Sequence, residues 1–312
     1  MAVKWIAPEY GGIEVLTLVE AEVPPPAAGQ VTIDVRAAGV NPADYKHLAA
    51  ARAAGRPLPL GIGYEVAGVV SALGPDTTIA SGGGAVGDPV VAFRIQGGYA
   101  SRVTVPAKDV FAKPGALDFP AAANLLLAGA TAAEALHVTK VTRDDTVLVH
   151  GASGAVGVSV LQQARVIGAT VVGTASEHNF DLLRRFGANP VAYGPGLTGR
   201  IRAAASRGVT AVVDTAGTDD ALDSTVDLLA DRSRAVTIVP SDRSRQAGIT
   251  AIGGTLPASA AFRDAARARL VTLAAEGRLL VPVARTFPLD KAIEALELVR
   301  TGHPGGKVAL IP

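Results

Sequence analysis

Apolar and polar positions alternate in short runs through the first third of the chain. Ile13 to Val40 reads as β: Leu16, Leu18 and Val23 precede a Pro24-Pro25-Pro26 break. Val31, Ile33 and Val35 then alternate with polar neighbours, as in a half-buried strand. Gly39-Val40-Asn41-Pro42-Ala43-Asp44 is a turn, and Pro42 pushes Asn41 towards an extended backbone. A short helix is expected over Asp44 to Ala54, broken by Pro57 to Gly63. Gly63 to Val70 reads as a strand, Gly87 to Phe93 as a turn and strand, and Tyr99 to Val105 as another alternating strand. Many short strands joined by glycine turns predict a compact β-rich first domain.

The period changes near Phe119. Pro120 to Val138 is rich in Ala and Leu and reads as helix. From Thr146, strands and helices alternate. The strands are Val147 to Val149, Val171 to Gly173, Val191 to Tyr193, Ala211 to Asp214, Ala235 to Val239 and Ile249 to Ile252. Helical pieces fall at Asn179 to Phe186, Ile201 to Ser206 and Leu222 to Leu229. Short crossovers of this kind predict a doubly wound parallel sheet. Ala260 to Glu276 and Asp290 to Thr301 read as amphipathic helices, and Lys307 to Ile311 as the last strand.

One stretch carries chemistry. The apolar run Val147-Leu148-Val149-His150 ends in Gly151-Ala152-Ser153-Gly154-Ala155-Val156-Gly157. Val156, Val160, Leu161, Ala164 and Ile167 then share a helical face. Strand, glycine turn and helix open a dinucleotide-binding unit, with the helix N-terminus facing a pyrophosphate.

Bulk properties narrow the partners. At 312 residues the chain suggests two domains. A formal net charge of +1 gives no footprint for nucleic acid or an anionic membrane. No uninterrupted apolar run reaches the roughly 18 residues of a membrane span. No basic-then-apolar leader precedes the first strand-like pattern, so a cytoplasmic location is expected. The absence of cysteine excludes disulfides and thiolate metal sites.

In order along nearly the whole chain, these motifs resemble the medium-chain dehydrogenase/reductase superfamily, specifically its zinc-independent quinone oxidoreductase (zeta-crystallin-like) branch. The markers are Gly39 to Asp44, Gly63-Tyr64-Glu65-Val66-Ala67-Gly68, Gly87 to Val90, Ala128 to Ala133, Gly151 to Gly157 and Gly305-Gly306-Lys307-Val308. The resemblance implies an α/β protein with a GroES-like β-rich catalytic domain, residues 1–125 and 256–312. A Rossmann doubly wound parallel-sheet domain, residues 126–255, would bind the cofactor. The catalytic cleft is expected between the two. Where zinc-dependent relatives carry metal-binding Cys, His and Cys, this chain has Asn41, Tyr64 and a residue near Leu127, so no metal is expected.

The cofactor implied is NADPH. No acidic residue stands in Thr174-Ala175-Ser176, where NAD binders place a carboxylate for the ribose 2′-OH. Thr174, Ser176, His178, Asn179 and Arg184 supply donors, and Tyr193 matches a phosphate-binding tyrosine of related NADPH users. Glu177 is the counterargument, since turned inward it would favour NADH. In the fingerprint, Ala152 takes the first glycine position, with Gly154 and Gly157 as second and third. Ser153, Gly154, Ala155 and Val156 are expected at the pyrophosphate. Asn41, Thr131, Ala216, Gly217, Ile238 and Gly253 are expected near the nicotinamide half. Asn41, Tyr45, Tyr64 and Thr131 form the catalytic set: either tyrosine could donate the proton, with Lys46 and solvent as alternatives. Asp44 and Glu65 sit in the core motifs with structural or catalytic roles open, and His47 and His137 have no assigned role. The expected activity is zinc-free hydride transfer to a quinone or activated enone. An enoyl thioester reductase and a non-catalytic NADPH-binding protein are the alternatives. A homodimer through the Rossmann edge strand near Ile249 to Gly254 completes the expectation.

Overall fold

The computed structural model describes residues 1–302 and 304–312. Two compact units emerge, residues 1–127 with 268–312 and residues 128–267. The sequence reading places these joins at 125/126 and 255/256.

The first unit opens with β1 (Ala2–Ala7), β2 (Thr17–Ala21) and β3 (Gln30–Val40), then α1 (Pro42–Ala49). Next come β4 (Leu60–Gly61), β5 (Glu65–Leu73), β6 (Pro89–Phe93), β7 (Arg102–Pro106), β8 (Val110–Ala112) and α2 (Phe119–Ala122), and α3 (Leu126–Val138) begins in the first unit and runs into the second. The second unit continues with β9 (Thr146–His150), α4 (Ala155–Ile167), β10 (Thr170–Ala175), α5 (Phe180–Arg185), β11 (Asn189–Ala192) and α6 (Leu197–Ala204). It goes on with β12 (Ala211–Asp214), α7 (Asp219–Leu228), β13 (Ala235–Thr237), α8 (Asp242–Gln246) and β14 (Thr250–Ala251), and α9 (Pro257–Ala275) crosses back into the first unit. The chain ends in the first unit with β15 (Val283–Pro288), α10 (Ala292–Arg300) and β16 (Lys307–Ile311).

In the first unit, β15, β16, β3, β5, β6 and β8 lie side by side in that order, and β7 also pairs with β3. A smaller sheet runs β2-β1-β4. Long β3 is the spine of this unit, antiparallel to β5, β7 and β16. Its inward residues Val31, Ile33 and Val35 pack with Val66, Val70, Val103, Leu296 and Leu310. The burial of these aliphatic side chains is the main favourable term holding the unit.

The second unit is a parallel sheet in the order β11-β10-β9-β12-β13-β14. Numbered within the unit this is 3-2-1-4-5-6, the Rossmann order, with its reversal between β9 and β12. All five residues of β9 are buried, as a central parallel strand covered on both faces requires.

Several elements depart from the sequence pattern. Ile13–Val15 is a single 3-10 turn rather than strand. The first helix starts at Pro42, not Asp44, and ends at Ala49 rather than Ala54. Proline suits a first helical turn because its missing N–H would have no partner there. The expected helix over Pro120 to Val138 is two helices, interrupted at residues 123–125. The first of them is capped by Asp118, whose carboxylate accepts from the Ala121 N–H at 2.8 Å. Strands β8 and β15 are absent from the sequence reading. Exposed Ala284, Arg285 and Thr286 hide β15 from an alternation test, as befits an edge strand.

Gly157 shows how closely α4 approaches the turn that precedes it. A Cβ there would stand 2.4 Å from the Gly151 carbonyl oxygen and 2.7 Å from Ala152 Cα. Neither can move without shifting backbone. Gly157→Val should therefore lower the unfolding free energy by about 1–3 kcal/mol, read by urea denaturation. Native stability in that variant would contradict this packing.

Candidate cofactor and active site

In a parallel sheet the carboxyl ends of all strands share one edge. At that edge of the second unit lie the segments following β9, β10, β11, β12, β13 and β14. They carry Ser153, Gly154, Ala155 and Val156; Ser176 and His178; Tyr193; Ala216 and Gly217; Ile238; and Gly253. Thr174 is the penultimate residue of β10, and the exposed Arg184 lies farther along, in α5.

The turn after β9 is held from both sides. Gly151 adopts φ +70°, a left-handed conformation that favours glycine. Its N–H donates to Thr174 Oγ1 at 3.3 Å, and the Ala152 N–H donates to the Thr174 carbonyl at 3.0 Å. Thr215 Oγ1 donates to the His150 carbonyl at 2.7 Å. Gly154 is the N-cap of α4 and is exposed, and a Cβ on it would meet only the Gly151 carbonyl, at 3.3 Å. The first-turn N–H groups of α4 point out of the helix at this end, as an anion site requires. Ala152 is fully buried. Its methyl occupies space left by Gly173 of β10, where an added Cβ would lie 2.7 Å from Ala152 Cβ.

Asp214, the last residue of β12, organises the neighbouring turn. Its Oδ1 accepts the N–H groups of Ala216 and Gly217, each at 2.9 Å, and its Oδ2 accepts the Thr237 hydroxyl at 2.8 Å. Beneath lies His150, 1% exposed, its Nδ1 3.4 Å from Thr174 Oγ1 and its Nε2 3.3 Å from Ser224 Oγ. Burial pulls its imidazole down to about 4, with Asp214 opposing. It is therefore neutral at physiological pH and ties β9, β10 and α7 together. Sequence reasoning assigned it no role.

After β10, Ser176 Oγ accepts from Asn179 Nδ2 at 3.1 Å and lies 3.3 Å from His178 Nε2. Glu177 and His178 are exposed. Tyr193 is 59% exposed. Register brings Ser176 and Tyr193 together: Ala175 of β10 pairs with Ala192 of β11, so both residues leave the sheet side by side. Arg184 is engaged with Asp181 at 2.9 Å. Thr131 is buried in α3, where Gln163 of α4 donates to the Gly129 carbonyl at 2.9 Å.

The first unit contains a different constellation. Asn41 caps α1 through its backbone: its carbonyl accepts from the Asp44 N–H at 3.0 Å and its N–H donates to Asp44 Oδ2 at 2.8 Å. The Asn41 amide faces the interior. Its Nδ2 donates to Glu65 Oε1 at 3.0 Å, and its Oδ1 accepts from Lys307 Nζ. Lys307 also pairs with Glu65 Oε1 at 3.3 Å, both side chains almost fully buried. Glu65 Oε2 accepts the Leu127 N–H at 2.9 Å, in the first turn of α3. Tyr99, fully buried, donates its hydroxyl to Asp44 Oδ2 at 2.7 Å. Asp44 Oδ1 is buried with no hydrogen-bond partner among the described residues. Tyr99 and Lys307 carry this cluster, and the sequence reading gave neither a role. Their signal was a long polar side chain inside an apolar strand pattern, which requires a partner.

Tyr64 is half-buried, and His47 packs edge-on against its ring at 5.1 Å between centroids. Burial, then the Asp44 charge, pushes the Tyr64 hydroxyl up to about 12. It stays protonated at any physiological pH. Tyr45 is half-buried and packs on the apolar core of the first unit.

Comparison with known proteins fits this frame. A model for the alcohol dehydrogenase GroES-like domain matches residues 27–115, and one for a zinc-binding dehydrogenase matches residues 186–310. A mycobacterial quinone oxidoreductase structure is 30% identical over the full length of both chains, with a TM-score of 0.79. The chain belongs to the medium-chain dehydrogenase/reductase superfamily of oxidoreductases, in its quinone oxidoreductase-like branch. A mycobacterial protein complexed with NADPH is likewise 30% identical over both full chains, with a TM-score of 0.82. The rat (Rattus norvegicus) quinone oxidoreductase is 37% identical over 59% of this chain and 56% of its own length. No helix among the described residues is long and apolar enough to cross a membrane.

Asp44 gives the first-unit cluster a titration signature. Burial raises its carboxyl to about 7, assisted by Glu65 and opposed by the Tyr99 hydroxyl, the Asn41 N–H and Lys307. The unfolded chain releases that proton near the ordinary aspartate value of about 3.9. Between about pH 4 and 7 the folded state thus binds more protons, and this contribution falls as pH rises. His150 acts oppositely: its folded value near 4 lies below the unfolded one, so its contribution is lost as pH falls below about 6.5. Asp44→Asn should remove only the first slope. Its stability relative to the native chain, from urea denaturation at several pH values, should rise between about pH 4 and 7. A constant difference would sink this assignment.

Proposed function

We propose that this chain binds NADPH at the carboxyl edge of the second unit's sheet and reduces quinones or activated enones without zinc. One observation carries the reading. The Gly151–Gly157 turn opens at the central strand of a 3-2-1-4-5-6 sheet, and no carboxylate stands in Thr174-Ala175-Ser176 at the end of the second strand. The bare Cα of Gly154 and the first turn of α4 suit a pyrophosphate. Ser176, Asn179 and Tyr193 offer neutral donors to a 2′-phosphate that a carboxylate would repel. The NADPH complex of a 30% identical neighbour supports the same cofactor.

The zinc-free part rests on residue types and charge. Asn41, Tyr64 and the residues near Leu127 are poor replacements for a Cys, His and Cys ligand set. The Lys307 ammonium bonds both Asn41 and Glu65, so a fixed positive charge already answers the Glu65 carboxylate. A divalent cation there would meet like charge.

NADPH, when bound, supplies a hydride; an acceptor that delocalises the arriving charge onto oxygen needs only a proton to finish. In this reading Asn41 is a positioning residue, holding the start of α1 through Glu65 and Lys307. Thr131 borders the nicotinamide from α3. Tyr64 and Tyr45 are the proton donors proposed, and the high proton affinity of Tyr64 keeps its hydroxyl in the donating form. The terminal strand β14 serves as the pairing edge of a homodimer.

Turnover is read as NADPH oxidation with 1,2-naphthoquinone, 9,10-phenanthrenequinone, a simple enone and crotonyl-CoA. The expected result is turnover with a quinone or the enone, and a rate lowered about 10²-fold in Tyr64→Phe or Tyr45→Phe, whichever removes the donor. Tight NADPH binding without turnover of any acceptor would replace the enzyme reading with a binding one. Turnover of crotonyl-CoA alone would shift the substrate class to enoyl thioesters.

Cofactor choice is tested separately by fluorescence titration of the native chain. NADPH should bind at least about tenfold tighter than NADH, the size of one charge-assisted contact. Equal affinities would overturn the 2′-phosphate argument.

A further inference from the structure

The loop after β11 is short, glycine-rich and exposed, yet one side chain staples it. Arg200, in the first turn of α6, folds back over the helix start. Its Nε donates to the Ala192 carbonyl at 2.9 Å, its Nη1 to the Pro195 carbonyl at 2.7 Å and its Nη2 to the Gly194 carbonyl at 3.0 Å. Three guanidinium bonds thus span the segment on which Tyr193 stands. Gly194 and Gly196 both adopt positive φ, +99° and +79°. A loop with two such glycines has many alternative conformations to lose when it orders. A rigid planar fork that pins three carbonyls removes that freedom before any ligand arrives.

We propose that Arg200 is the positioning and specificity-determining residue for the 2′-phosphate of the cofactor: it fixes Tyr193 beside Ser176 and supplies the positive charge that Tyr193 and Ser176 lack. The inference rests on the NADPH reading and deepens it. Tyr193 and Ser176 follow directly on the paired residues Ala192 and Ala175, so the clamp acts one residue from the point where the two strands diverge. The arginine expected there from sequence, Arg184, has its charge answered by Asp181. The three bonds of Arg200 go to uncharged carbonyls, which orient its charge without cancelling it. The exposed Glu177 beside Ser176 adds negative charge at this edge, which the Arg200 charge offsets.

The test compares NADPH and NADH affinities by fluorescence titration in the full chain, native and Arg200→Gln, with Arg200→Lys as the conservative variant. Arg200→Gln should weaken NADPH at least about tenfold while NADH changes less than about twofold. Arg200→Lys, with the charge but not the fork, should fall between the two. In the native chain, salt should weaken NADPH more steeply than NADH. That measurement needs no variant to fold. Equal loss of both cofactors would reduce Arg200 to a structural clamp and overturn the proposal. So would a native NADPH preference that survives Arg200→Gln. A native chain with no preference for NADPH would instead overturn the cofactor reading itself, and so the two failures are distinguishable.

Discussion

The first unit depends on one buried carboxylate. Glu65 receives three donors of different kinds: an ammonium from β16, a side-chain amide from the start of α1 and a backbone N–H from the first turn of α3. Each belongs to a different part of the chain. A buried charge is tolerated only when its lone pairs are filled, and removing one partner from such a set typically costs about 3–5 kcal/mol. This penalty gives the cluster its rigidity. The start of α1 is not free to adopt another register, because Asn41 is fixed by side chain and backbone at once.

The glycine turn of the second unit rests on a neutral histidine beside an aspartate. His150, uncharged and buried, sits under the glycine turn with Thr174, Ser224 and Asp214 around it. Asp214 orders the adjacent turn by accepting two successive backbone N–H groups. The turns after β9 and β12 are therefore shaped largely by side chains of the strands themselves. A rigid platform with preformed loops loses little entropy on binding, which suits a cofactor that must be held at fixed geometry.

Much of this was legible in the sequence where local pattern and tertiary environment agree. The β9–turn–α4 unit was readable because an apolar run, glycines and a helical face follow each other within a few residues. The alternation of strand and helix after Thr146 gave the parallel sheet. The clusters were not readable, because their members are far apart. Lys307 and Asn41 are separated by 266 positions, and nothing near Lys307 announces a carboxylate partner. Tyr99 looked like one more strand aromatic. Arg200 falls just outside the helix expected over Ile201 to Ser206, and its three acceptors are backbone atoms, which leave no trace in a sequence. The N-terminal boundary of α1 was missed for a related reason: the cap is set by Asp44 reaching back to Asn41, a geometry that spacing only hints at.

The meeting of Ala152 and Gly173 has a consequence for how this turn tolerates change. Ala152 lies in the turn after β9 and Gly173 in the neighbouring strand β10, and the two share the volume of a single methyl group. A methyl on residue 173 would also meet Leu183 Cδ2 at 2.9 Å, so the space is bounded by a third side chain. An alanine on both sides would overfill it, and a glycine on both would leave a void. The first position of the nucleotide turn is thus not an independent letter of a fingerprint but one half of a pair. Its identity is decided across the sheet, some twenty residues away.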